Sequence, residues 1–165
     1  MPMSEVPSTT EALELGYAEH LLLQAVRAMA IGRGDCPMIQ RSFADACGPL
    51  ANQAMTALFV LVKQLAWKSG RRLALHVPGC RRISGDELML LRAFADAQAA
   101  AHTHTDARLD EQLGRLLGRA PDPSIRASIR MVAYLLSLNG HSLTCQETSV
   151  GARSAQSPPA GATLH

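Results

Sequence analysis

Between Gly48-Pro49 and Lys68-Ser69-Gly70 runs LANQAMTALFVLVKQLAW, the most apolar stretch of the chain. Its centre, Ala54 to Trp67, carries polar groups only at Thr56, Lys63 and Gln64. A helix apolar on every side has to be enclosed by other elements, so the segment reads as the central helix of a small bundle. Phe59-Val60-Leu61-Val62 has strand propensity in isolation, but the flanking Ala, Met, Leu and Gln over about 20 residues favour helix. A membrane span is the competing use of such a segment. Asn52, Gln53, Lys63 and Gln64 interrupt it, and the roughly 14 residues that remain match a buried core helix instead.

A chain of 165 residues is long enough for one domain with its own core. Apolar residues at 47% against 18% charged place it among globular proteins. Aromatics reach only 4%, so Leu, Ala, Met and Val must fill the core, a usage that favours helices over strands. The formal net charge of +2 is too small to demand a nucleic-acid or anionic-membrane partner. MPMSEVPSTTEALELG shows no basic stretch followed by an apolar run, so no signal peptide is expected and a cytoplasmic location is. There, cysteines serve as reduced thiols, metal ligands or catalytic groups before they serve as disulfides.

The fold class expected is mainly α: a single-domain bundle of about five helices with one short extended segment. Residues 1–8 form a flexible start, 9–145 the helical domain and 146–165 a disordered tail, because Ser, Pro, Gly, Ala and Gln cannot repay their ordering entropy. Thr9 or Thr10 caps the first helix, with Glu11 and Glu14 in its first turn and Leu15, Ala18, Leu22, Ala25 and Met29 at 3-4 spacing up to Gly32. A short helix follows from Pro37 to Gly48, with Cys36 or Asp35 at its cap. After the central helix, Leu73 to Val77 alternates like a short strand, and Val77-Pro78-Gly79-Cys80 signals a type II turn. Cys80 to Ile83 would pair back only in a hairpin that Pro-Gly with L-residues does not favour. Ser84 with Glu87 forms a capping box for a helix burying Leu88, Leu91 and Phe94. Asp106 caps the next helix, with Leu109, Leu113, Leu116 and Leu117 inside. Asp122-Pro123 opens the last, with Ile125, Ile129, Val132 and Leu136 inward. These two stripes with a short linker read as an antiparallel helical hairpin.

Four residues of zinc-ligand type flank the central helix: Cys36, Cys47, His76 and Cys80. If Cys36 and Cys47 bracket one straight helix they lie about 16 Å apart along its axis, too far to share a metal. The strand reading sends His76 and Cys80 to opposite sides. No cofactor is therefore predicted, zinc being the one such a set would take, and Cys47 and Cys80 read as small buried hydrophobes. Cys36, at a helix N-terminus near Arg33 and Arg41, has the setting of a reactive thiol, against which Asp35 pulls. His102-Thr103-His104 with Asp106 offers metal-ligand types at a helix junction, more simply read as a solvated turn. Arg71, Arg72, Arg81 and Arg82 flank the extended segment and would form a contact spot for an anion or an acidic partner. Near-balanced charge and scarce aromatics disfavour nucleic acid. Arg126 and Arg130 share one face of the last helix. No catalytic set emerges among the acids, which sit mostly in first helical turns.

The run GRGDCPMIQRSFADACG, followed by LFVLV and HVPGC, resembles a family of small uncharacterised bacterial proteins, a domain of unknown function. The resemblance covers roughly residues 20–100, implies no activity or cofactor, and carries over no functional residue. The function expected is that of a non-enzymatic helical interaction or regulatory protein with a protein partner or self-association through the first or last helix. The alternatives are a thiol- or metal-dependent protein using Cys36, Cys47, His76 and Cys80, and phosphate or nucleic-acid binding by the arginine clusters.

Overall fold

A computed structural model describes residues 15–144, and the expected cap at Thr9 or Thr10 and the tail from 146 lie outside these. Within them are six α-helices and no strand: α1 (Tyr17–Ala30), α2 (Pro37–Cys47), α3 (Ala51–Lys68), α4 (Gly85–Thr103), α5 (Ala107–Leu117) and α6 (Pro123–Leu138). The all-α bundle expected from composition and periodicity is what forms. No helix among the described residues is long and apolar enough to cross a membrane.

α3 packs against α1, α2 and α6, but it is not the helix enclosed on nearly every side. In α3 only Ala51, Ala54, Leu58, Leu61, Val62 and Leu65 are buried, and Phe59, Val60 and Trp67 face outward, Trp67 at 85% exposure. In α1, ten of fourteen residues are buried, Glu19 and Arg27 among them. Composition reports how apolar a helix is but not which of its faces find a partner. The apolar surplus expected to leave α1 free for self-association is thus covered within the fold.

α1 begins at Tyr17 with Gly16 as its N-cap, so Leu15 and Gly16 are not part of the helix as expected. Glycine is a poor helix-interior residue. A Cβ at Gly16 would also lie 2.5 Å from Glu19 Oε2, so a larger residue there would displace the Glu19 carboxylate. The side chain of Glu19 also accepts the amide of Thr144 (2.8 Å), tying the far end of the described chain to the first turn of α1.

α2 is followed by a 3-10 turn over Gly48–Leu50, so α3 starts at Ala51 rather than at Pro49. The capping box at Ser84 and Glu87 is present, with the Glu87 amide donating to Ser84 Oγ (3.1 Å) and the Ser84 amide to Glu87 Oε2 (2.8 Å). Asp122 caps α6, accepting from the Ser124 and Ile125 amides. The Ser124 hydroxyl, offset in part by burial, and then those two amides and Lys68 lower its pKa to about 2. Asp106 stands at the N-cap of α5 but makes no cap bond; Arg130 of α6 takes its carboxylate.

α5 and α6 do not form the expected hairpin. The buried Leu109, Leu113, Leu116 and Leu117 set α5 chiefly on α4, whereas α6 packs on α3 and α4. What joins α5 to α6 is charge: Asp110 with Arg126 (2.7 Å) and Asp106 with Arg130. The arginine face of the last helix is therefore internally paired. Gln98 fastens the end of the described chain, donating to the carbonyls of Ala133 (3.1 Å) and His141 (3.0 Å) and accepting from Leu143 N (2.8 Å).

Candidate functional site

Residues 69–84 connect α3 to α4 without a helix or strand, and a strap that long needs partners for its backbone groups. Leu73 to Val77 is non-helical as expected, yet no neighbouring strand bonds it. The amide of Ala74 donates to Asp86 Oδ2 (2.7 Å) and that of His76 to Glu87 Oε1 (2.8 Å). Ser84 Oγ donates to the carbonyl of Ala74. The alternating pattern thus meets carboxylates at the start of α4 in place of a second strand.

Arg27 of α1 is the anchor. It is fully buried, as is Glu87. Its Nε donates to Glu87 Oε1 (2.7 Å), Nη2 to Glu87 Oε2 (2.9 Å) and to Arg82 O (2.6 Å), and Nη1 to Cys80 O (2.7 Å). The C-terminal part of the strap and the first turn of α4 are thereby held on one guanidinium. Burial pushes the Glu87 carboxyl up. The Arg27 hydrogen bonds and the Ser84 and His76 amides outweigh it and leave the group below its ordinary value. Asp86 follows the same logic: burial raises it, and Arg71, with the Ala74 amide, brings it down.

At the strap's tip, Val77 to Cys80 makes the expected turn, with Cys80 N donating to Val77 O (3.2 Å). Gly79 has φ +82, the left-handed value a type II turn requires at its third residue. Its amide donates to Gln24 Oε1 (2.8 Å), which lays the tip over α1. Val77 and Pro78 then close one side of a groove of about 620 Å3, whose other walls are Leu21 and Ala28 of α1, Ile31 just beyond it, and Met38 and Ile39 of α2. Four large apolar side chains on this groove stand open: Met38 at 76% exposure, Val77 at 65%, Tyr17 at 57% and Ile31 at 53%. His20, Gln24, Arg33 and Ser42 add the polar groups.

The four candidate metal ligands are not brought together. Cys36, the N-cap of α2, opens onto the groove. Cys47 lies in the core, where burial raises its thiol pKa. His76 and Cys80 sit on the strap, bound through their backbones to Glu87 and Arg27. Among the described residues no three His, Cys, Asp or Glu side chains are grouped to hold a metal ion. His104 ends α4 with φ 54, and His102, His104 and His141 line a second groove, between α4 and α6.

Of the four arginines flanking the extended segment, one is engaged within the fold. Arg71 forms a bidentate pair with Asp86 (3.0 and 2.5 Å), while the side chains of Arg72, Arg81 and Arg82 are exposed. Sequence alone does not mark the anchor, because Arg27 follows Leu23 by one helical turn and has the pattern of a solvated residue beside an apolar stripe. The available signal was its position between Val26 and Ala28 in a helix with apolar residues on nearly all sides.

Comparison with known proteins finds no matching family model, curated protein or solved structure. The fold and the groove therefore define the class: an all-α bundle whose irregular strap, pinned by a buried ion pair, walls an open apolar groove.

Proposed function

We propose that this is a non-enzymatic interaction protein that receives an apolar helical segment of a protein partner in the groove between α1, α2 and the strap. The observation that carries this reading is the convergence of Tyr17, Ile31, Met38 and Val77, all more than half exposed, on a single concave apolar surface. Contiguous exposed apolar surface rimmed by polar groups is characteristic of protein contact sites, and amphipathic helices fill such grooves. Each such side chain contributes about 1.5–3 kcal/mol when fully covered. The three described cysteines are free thiols, which supports a cytoplasmic setting.

A photo-crosslinking amino acid at position 38, activated in the native host, tests this. A discrete adduct with another protein, lost in Ile31→Glu, is the expected result. An adduct with a second copy of the chain would replace the partner by self-association, and no adduct at all would overturn the reading. Met38→Glu should weaken a captured partner by at least about tenfold.

A thiol- or metal-dependent function draws support from Cys36 alone, the cysteine that opens onto the groove. Stoichiometric zinc in protein purified without chelator, lost on Cys36→Ser, would favour that reading instead.

A further inference from the structure

A second apolar surface lies where α3 and α6 run antiparallel, and it shares no residue with the groove. Two polar contacts fix the register of the helices, Lys68 Nζ to Ser124 Oγ (2.6 Å) and Ser128 Oγ to Gln64 Oε1 (2.9 Å). One turn further along, that register sets Val60 level with Met131. Both side chains are open, at 42% and 51% exposure. Trp67 follows Val60 by seven residues, and Leu138 follows Met131 by seven. Because the helices are antiparallel, these two stand about 10 Å from that centre in opposite directions. They are open too, at 85% and 54%. The four charged residues of α3 and α6 are engaged elsewhere: Lys68 with Asp122, Lys63 over the Phe59 ring, Arg126 with Asp110 and Arg130 with Asp106. What remains is a face with large apolar side chains at its centre and at both ends, depleted of charge as interface cores are.

We infer that the α3–α6 face pairs with the same face of a second copy of the chain, making a four-helix dimer interface. The placement of the four side chains is what selects a copy. A two-fold axis lying in the interface, across both helices at the level of Val60 and Met131, sets these residues against their own copies. The same rotation exchanges the ends, so Trp67 of each protomer lands on the Leu138 end of its partner. Every open apolar side chain of the face then meets another, and no like charges meet at the axis. The extent is sufficient. The 18 residues of α3 span about 27 Å, and two helices side by side about 20 Å. That is roughly 500 Å2 in plan on each protomer and about 1,000 Å2 for the pair, the lower bound of a specific interface and so a weak, concentration-dependent dimer. Since the groove lies elsewhere, the dimer would carry two of them.

Trp67 is the chain's one tryptophan, so its fluorescence reports on the face directly. The test is analytical ultracentrifugation of the full chain from about 1 μM to about 1 mM, the span of Kd open to a weak interface, with emission and acrylamide quenching read over the same range. The expected result is a rise from the 17.7 kDa monomer to twice that mass, with a blue shift and protection from quenching at the same midpoint. Val60→Glu, which sets two carboxylates against each other at the axis, should leave monomer throughout. Trp67→Lys and Leu138→Glu should each raise Kd at least about tenfold by mass. Combined in one chain they should recover most of that loss, because opposite charges then meet across the axis. Unchanged thermal unfolding at the lowest concentration shows that each variant keeps the fold. A constant monomer mass with Trp67 freely quenched throughout would overturn the inference. So would a Trp67 already shielded in the dilute monomer, since another part of the chain would then cover the face. A dimer that survives Val60→Glu but is lost in Ile31→Glu would place self-association in the groove and overturn it as well.

Discussion

Replacing Arg27 by Met isolates what the buried pair does. Methionine keeps most of the side-chain volume and removes the guanidinium, so four hydrogen bonds are lost at once, two to Glu87 and one each to the carbonyls of Cys80 and Arg82. The Glu87 carboxylate, fully buried with Arg27, keeps only the His76 and Ser84 amides. Leaving one partner of a buried pair uncompensated costs about 3–5 kcal/mol. The two stranded carbonyls would add about 1–3 kcal/mol each if they stayed dry. The strap carries them, however, and it can peel toward water, so the lower figure sets the expectation. For a chain of this size that is a fall in Tm of roughly 6–20 °C, at about 2–4 °C per kcal/mol. Urea unfolding gives the free energy, and hydrogen exchange at the Ala74 and His76 amides gives the place. Both amides should exchange faster than those in α3. A loss below about 1 kcal/mol, with Ala74 and His76 still protected, would refute the view that Arg27 holds the strap.

Acid titration should expose the carboxylates of the same network. Glu87 and Asp86 are both held below their ordinary values, so their contribution is complete above the unfolded pKa values of about 4.3 and 3.9. It disappears as pH falls through the lower folded values. Urea midpoints measured from neutral pH downward should drop below about pH 4.5, and Glu87→Gln should flatten that drop; an unchanged slope would count against the pair. Ser84→Ala removes both the cap of α4 and the bond to the Ala74 carbonyl, and should lower stability by about 1 kcal/mol in chemical denaturation.

Much of the fold was legible because helix formation is local. The capping box at Ser84 and Glu87, the Asp122 cap and the Val77–Cys80 turn all depend on residues within a few positions of each other. The leucines of α5 and the isoleucines of α6 face inward as their spacing implies, since periodicity reports a face. What periodicity does not report is the partner of that face: α5 rests mainly on α4 and α6 on α3, not on each other. Asp106 shows the same limit at one residue: a cap by sequence, an ion-pair partner of Arg130 by structure. The groove was invisible for a related reason. Met38 and Ile39 are apolar residues of a short helix, yet Met38 is 76% exposed, on a groove that the strap's tip walls on one side.

The chain's own order of residues determined that it is helical, where most helices begin and end, and that Leu73 to Val77 would be non-helical and end in a turn. Those outcomes follow from propensity, caps and glycine or proline breaks, which act over a turn or two. Only the tertiary structure decided that α1, not the more apolar α3, is the enclosed helix. It alone placed Arg27 against Glu87, 60 residues away, and so turned a connecting segment into the wall of a binding groove. The physical reason is that burial and ion pairing depend on which surfaces meet, and residues distant in sequence carry no local record of that meeting.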